Sequence, residues 1–305
     1  MSQAEQIEQD SDSNSAARRA AANGIASNPA VRRDRGGGLL ASELATMFRR
    51  RRTIALLAVL GAVPLLIAIA VKVSSSDLHP GEGPAFLDRV SQNGLFVAVT
   101  SLVVCTPLFL PLAIGVVAGD TIAGEAGLGT LRYLLIAPVG RVRLLVVKFV
   151  AAVAFCLAAT FVVAAVGAAI GALLFPVGPV TLLSGNTVSP TAALGRAALI
   201  ACYVTLSLIG MSAIGLFIST LTEVPVGSMA AVVVLAIASQ ILDTIPQVSW
   251  LHPWLFSHEW LGFADLMRDP ISWTSTQRDA LLQLGYVAVF GALAYSRFTT
   301  KDVLS

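Results

Sequence analysis

Six stretches of about twenty residues carry almost no charge, and a chain built this way has to fold in lipid. They run from Thr53 to Val71, about Leu95 to Val117, about Leu144 to Phe175, about Ala197 to Ser219, Val226 to Ile241 and Leu281 to Tyr295. A helix rises about 1.5 Å per residue, so about twenty residues cross a hydrocarbon core about 30 Å thick. The third stretch is long enough to tilt or to project from the membrane, and the fifth and sixth are the shortest. Only 12% of the residues are charged and 56% are hydrophobic, against roughly a quarter charged in soluble domains. A membrane barrel would need strands of about ten residues that alternate apolar and polar, and these Ala, Val and Leu runs do not alternate. The expected fold is an all-α integral membrane protein with six transmembrane helices.

Lys and Arg gather in the cytoplasmic segments that flank spans. With the N-terminus inside, fifteen of the 20 basic residues fall on the inner side. These are Arg18, Arg19, Arg32, Arg33, Arg35 and Arg49 to Arg52 before the first span, Arg132, Arg141, Arg143 and Lys148 between the second and third, and Arg297 and Lys301 after the last. Lys72, Arg89, Arg196, Arg268 and Arg278 share the outer loops with eight carboxylates and with His79, His252 and His258. Both termini are therefore expected in the cytosol.

Residues 1–38 are polar, rich in Ala, Ser, Asn, Gln and Arg, and read as a disordered cytosolic tail. No cleaved signal peptide is expected, because the first apolar run begins only after residue 52 and is long enough to span. Within residues 39–52, Leu40, Leu44, Met47 and Phe48 recur at helical spacing and the arginines Arg49 to Arg52 follow. Two uses fit this segment: an amphipathic interfacial helix whose arginines grip lipid phosphates, or a topogenic cluster ahead of the first span. The two uses can coexist. Residues 53–305 make up the six-helix transmembrane domain.

Catalytic patterns are missing from the chain. It has no H-E-x-x-H, no G-x-S-x-G and no G-x-x-x-x-G-K-[ST], and the dipeptide Gly-Lys does not occur. The chain is not expected to be an enzyme, nor to bind or hydrolyse ATP by itself. Cys105, Cys156 and Cys202 fall inside spans without metal-type spacing and read as packing residues. The histidines read as scattered surface residues, so no metal is assigned. No charged residue is expected deep in a span apart from Lys148, which lies about one turn from a cytosolic end and can snorkel. That disfavours an ion-coupled carrier, which needs intramembrane carboxylates or broken helices. Membrane lipids are expected neighbours, and nucleic acid is not an expected partner.

The spans do carry hydroxyls: Thr100, Ser101 and Thr106 in the second, Thr160 in the third, and Tyr203, Thr205, Ser207 and Ser212 in the fourth. Such groups bond to their own helix or to a neighbour. Alternatively, Thr100, Ser101, Thr106, Tyr203 and Thr205 line a path suited to an amphiphilic or hydrophobic substrate. Pro107 and Pro111 should kink the second span. The G-x-x-x-G spacings at Gly115/Gly119 and Gly167/Gly171 permit close helix contacts.

Residues 119–143 interrupt the apolar pattern with glycines, arginines and a proline. Gly124, Gly127 and Gly129 disfavour a continuous helix, Thr130 can cap a new one, and Pro138 ends it at about Ala137. The prediction is a short helix from Leu131 to Ala137, with Leu131, Leu134 and Leu135 on one side and Arg132 and Tyr133 exposed. A short apolar helix on a cytosolic loop needs burial, in the inner leaflet or in a groove on another protein.

These residues resemble a signature of the membrane subunits of ABC-2 type transporters, which resemble the type V exporters. That signature is a Glu, a Gly-Thr-Leu a few residues later, then Pro-x-x-Arg, and a Lys at the start of the third span. The chain has Glu125, Gly129-Thr130-Leu131, Pro138, Arg141 and Lys148 in that order. It departs from the commoner form at Ala126, where a basic residue often follows the Glu, and at Gly140, where Ser is frequent before the Arg. The resemblance implies that Gly124 to Ala137 is a cytosolic coupling helix, docked into a separate subunit that carries ATP and Mg. Glu125, Gly129, Thr130, Leu131, Arg132, Tyr133, Pro138 and Arg141 would form the joint, with Leu131 as apolar anchor and Glu125, Arg132 and Arg141 as polar contacts. On the residues alone, Arg132, Arg141, Arg143 and Lys148 serve topology and lipid headgroups equally well, Arg143 and Lys148 above all. The resemblance further implies two six-span subunits, identical or paired with a paralogue, two ATPase subunits, and export.

Residues 243–279 hold all four tryptophans, Trp250, Trp254, Trp260 and Trp273. With Leu255, Phe256, Leu261, Phe263, Leu266 and Met267 they predict short helices dipping into the outer leaflet before the last span. In the family resembled, such re-entrant helices close the outer side of the path, which would make Trp250, Trp254, Trp260 and Phe263 an outer gate. An aromatic anchor at the membrane interface is the other reading.

Two classes of function follow. One is the permease subunit of an ATP-driven exporter of a drug, lipid or similar amphiphile. The other is a non-transporting membrane scaffold or lipid-modifying protein that uses the same segment at the inner leaflet. Composition rich in Ala, Val and Arg and poor in Lys points to a high-GC bacterium, and so to its inner (plasma) membrane.

Overall fold

The structure, a computed structural model, describes residues 37–77, 93–127 and 140–300. The chain divides into two compact units, Met1–Ala41 and Ser42–Ser305. Of the first, only the opening turn of helix α1 (Gly37–Arg49) is described. Most of the predicted tail, residues 1–36, lies outside the described residues, as does the predicted short helix from Leu131 to Ala137.

Six helices are long and apolar enough to cross a membrane. Span 1 is α2 (Arg51–Asp77). Span 2 is broken into α3 (Phe96–Cys105) and α4 (Phe109–Gly127). Span 3 is α5 (Arg141–Leu174), and span 4 is again broken, into α6 (Pro190–Ser207) and α7 (Ile209–Leu221). Span 5 is α8 (Pro225–Thr244) and span 6 is α9 (Thr274–Thr300). An antiparallel hairpin, β1 (Val180–Thr181) and β2 (Thr187–Val188), joins spans 3 and 4, pairing Val180 with Val188. The segment before α9 forms three 3-10 turns, Pro246–Val248, His252–Trp254 and Gly262–Met267.

α5 is the central element, packed on α2, α3, α4 and α6. Its Phe155 is fully buried with Leu102, Leu110, Ile200 and Met211. On α1, Met47 enters this core while Leu44 and Phe48 pack against it, which gives the predicted apolar face a partner.

The break in span 2 follows from two prolines. Pro111 has no N–H, so the carbonyl four residues earlier, that of Pro107, loses its helical donor. In lipid that carbonyl needs a replacement. Gln240 Nε2 of α8 supplies it, donating to Pro107 O at 2.7 Å. In span 4 the break is the single residue Leu208, and two side chains take the backbone groups beside it. Gly210 N donates to Gln283 Oε1 at 3.0 Å, and Trp260 Nε1 donates to Ser207 O at 3.0 Å.

Glycine contacts bear out the spacings noted above. A Cβ on Gly119 would stand 2.9 Å from Met229 Cα, and one on Gly167 would stand 2.7 Å from Ala98 Cα. These positions seat α4 on α8 and α5 on α3. Gly124 and Gly127 were expected to interrupt the helix after span 2; α4 runs through Gly124 and ends at Gly127. At Gly127 the missing side chain makes room for Glu223 O, 3.1 Å from where a Cβ would be.

Two other expectations are corrected. α9 starts at Thr274 rather than Leu281, which brings Asp279 inside a span, fully buried beside Gln283. Hydropathy misses Asp279 because its cost is met by hydrogen bonds, one of them to the remote Ser207. Cys202 is exposed on α6, whereas Cys105 and Cys156 are buried as packing residues should be.

Candidate coupling site

α4 ends at Gly127 and α5 begins at Arg141, so both roots of the predicted coupling segment are described. Gly129, Thr130, Leu131, Arg132, Tyr133 and Pro138 lie outside the described residues, and of Arg141 only the backbone, opening α5, is described.

Lys148 stands on the second turn of α5, with 3% of its side chain exposed. It does not snorkel to an aqueous edge. Its Nζ donates to Glu43 Oε1 of α1 at 2.7 Å and to Glu125 Oε1 of α4. A buried ammonium without partners costs several kcal/mol, and two carboxylates offset that here. Glu125, expected at the joint with an ATPase, therefore also braces α4 against α5 at the point where the segment leaves and returns.

Beside this triad, Asp120 of α4 accepts from Arg52 and lies 3.5 Å from Arg50 Nη1. These arginines were expected on lipid phosphates, as a topogenic cluster, or as both. In the structure they hold a carboxylate within the protein, and keep 45% and 42% of their side chains exposed. Glu43, Arg50, Arg52, Asp120 and Lys148 border one cleft of about 30 Å³, enough for a water or two. Sequence reasoning missed Glu43 and Asp120. The available signal was Asp120 itself, a lone carboxylate continuing an apolar run opposite an arginine cluster.

Three of the five hydroxyls proposed for a path are engaged within the protein. Thr106 Oγ1 donates to Leu102 O at 2.6 Å, Tyr203 OH donates to Glu259 O at 2.6 Å, and Thr205 Oγ1 donates to Ala201 O at 2.8 Å while contacting Thr160 Oγ1. Ser101 is buried and its Oγ has no hydrogen-bond partner among the described residues; Thr100 is half-buried. An apolar groove of about 250 Å³ opens between spans 3, 4 and 6, lined by Leu145, Phe149, Leu216 and Val287 among others. None of the five hydroxyl residues lines it.

The aromatic group divides in two. Trp250 and Trp254 are 72% and 68% exposed, as interface anchors would be, whereas Trp260 and Phe263 are buried. Phe263 meets Tyr203 edge-on at 6.4 Å, and Trp260 meets Phe256 at 5.8 Å. His252 and His258 come together, ring centroids 6.0 Å apart, and His258 Nδ1 lies 2.6 Å from Asp243 Oδ1. His79 lies outside the described residues. Among the described residues no group of His, Cys, Asp and Glu is arranged to hold a metal.

No curated protein matches the chain. The family model of ABC-2 family transporter proteins matches residues 38–303, which takes in all six spans and both roots of the segment. The chain belongs to the ABC-2 transporter family and is a multi-pass membrane permease component of an ABC transporter.

Proposed function

We propose that this permease exports an amphiphilic or hydrophobic substrate, such as a drug or lipid, across a bacterial inner membrane, driven by ATP and Mg held on a separate ATPase subunit. Two copies, or one copy and a paralogue, work with two ATPases. Gly124 to Ala137 takes up the ATPase motion, with Leu131 as the apolar anchor and Glu125, Arg132 and Arg141 as polar contacts. The observation that carries this reading is the buried Lys148, which joins Glu125 at the end of α4 to the start of α5 and to Glu43 on α1. A push on the segment then moves three helices together instead of splaying two. Hydroxyls of spans 2 and 4 meet substrate once those spans swing at their breaks, and the aromatic segment 243–279 closes the outer end.

The test is co-purification with the ATPase encoded beside this chain. Leu131→Asp, or deletion of Gly129 to Tyr133, should abolish ATPase binding and export while the protein still inserts. Normal binding and export by these variants would refute the coupling role. A wild-type chain that captures no ATPase would favour a membrane scaffold instead.

A further inference from the structure

Asp279 lies in the second turn of α9, fully buried, and among the described residues no Lys, Arg or His forms an ion pair with it. Its Oδ1 accepts from Gln283 Nε2 at 2.9 Å, and its Oδ2 contacts Ser207 Oγ. Ser207 Oγ also lies 3.1 Å from Tyr203 O, which can only accept. A hydroxyl has one proton to give. If it goes to Tyr203 O, then Oδ2 must itself be a donor. If it goes to Oδ2, a carboxylate remains buried among neutral groups, which a low-dielectric interior strongly disfavours.

We propose that Asp279 is a proton-binding site that latches the outer end of spans 4 and 6. The neutral carboxyl donates from Oδ2 to Ser207 Oγ, Ser207 donates to Tyr203 O, and Gln283 donates to Oδ1. Every polar atom in the chain of bonds is then satisfied.

The surroundings tie this carboxyl to the segment that would have to move. Gln283 also donates to Phe256 O at 3.1 Å and accepts from Gly210 N, while Trp260 donates to Ser207 O. The site therefore joins α9, the break in span 4 and the outer segment. The ionisable groups around it are Tyr203 on α6, Glu259 on the outer segment, and Tyr286 further along α9, which donates to Trp254 O at 2.7 Å. Asp265 accepts from Ser275 Oγ of α9 at 2.6 Å. The adjacent Arg278 is exposed. A second negative charge beside Glu259 is unfavourable, so the closed arrangement keeps its proton. When the outer segment lifts, water reaches the carboxyl, which transfers its proton to water and becomes a carboxylate. Reclosure takes one proton back. Alkaline conditions outside thus favour the open end. This inference does not depend on the ATPase joint.

The test is infrared spectroscopy of the full chain in lipid nanodiscs. Wild type at neutral pH should show a protonated-carboxyl C=O band that shifts with ¹³C-labelled aspartate and is lost in Asp279→Asn. Hydrogen exchange across residues 245–273, corrected for its intrinsic pH dependence, should rise with pH in wild type and stay flat in Asp279→Asn, whose amide keeps a donor and an acceptor. Absence of the band, its survival in Asp279→Asn, or the same pH response in both proteins overturns the proposal. If that variant fails to fold, Asp279→Glu decides instead: its band should lose the ¹³C-aspartate shift and gain one with ¹³C-labelled glutamate, and retention of the aspartate shift overturns the proposal.

Discussion

The ammonium of Lys148 sits between the carboxylates of Glu43 and Glu125, residues that belong to α1 and α4 and come together only on α5. One cation therefore decides how three helices meet at the base of the bundle. The geometry also separates two kinds of ion pair, since Lys148 is enclosed while Arg50 and Arg52 remain half in solvent.

Lys148→Met leaves the partly buried carboxylates of Glu43 and Glu125 without a cation and should lower stability by about 3 kcal/mol, the low end for breaking a buried pair. Adding Glu43→Gln and Glu125→Gln should recover most of that loss. Asp120→Asn breaks pairs whose arginines are wet, so its cost should be about 1 kcal/mol or less and should shrink in high salt. Thermal unfolding in detergent at two salt concentrations checks both, and equal salt dependence of the two variants would contradict the distinction.

Gln240→Leu removes the donor to Pro107 O and should cost about 1 kcal/mol. Pro111→Ala restores a backbone N–H one turn beyond that carbonyl. In the Pro111→Ala background, Gln240→Leu should therefore be nearly silent. A double-mutant cycle on unfolding midpoints reads this coupling directly, and strict additivity would count against it.

Gly119→Val drives a side chain into the backbone of Met229 and should cost about 3 kcal/mol or more, the upper end for overpacking. Gly140→Ala meets nothing within 4 Å and should be tolerated. The monodisperse yield and melting point of each variant provide the comparison.

Trp260→Phe loses the N–H donated to Ser207 O and leaves that carbonyl at the span 4 break unpaired, a loss of about 1–3 kcal/mol. Trp254→Phe, at an exposed site, should be close to neutral. Brominated lipid should quench the fluorescence of Trp250 and Trp254 far more than that of Trp260, measured in single-tryptophan variants. Equal quenching would place all three at the interface.

The six spans were legible because bilayer thickness dictates their length, and the kink at Pro107 because a missing N–H is a local property. The family could be read from Glu125, Gly129 to Leu131, Pro138, Arg141 and Lys148, a short ordered set. Span ends were harder. Asp120 and Asp279 look like reasons to stop a span until their partners are known, and Glu43 lies 105 residues from Lys148. The break at Leu208 carries no proline. It is held by Gln283 and Trp260, both from later elements, so no local pattern announces it.

The three acidic and three basic side chains gathered beneath spans 1 to 3 cancel in sum. Moving one elementary charge through 100 mV takes about 2.3 kcal/mol of electrical work, and a cluster with no net charge shifts along the membrane normal with almost none. The paired cluster itself therefore adds almost nothing to the electrical load of a stroke delivered to this base.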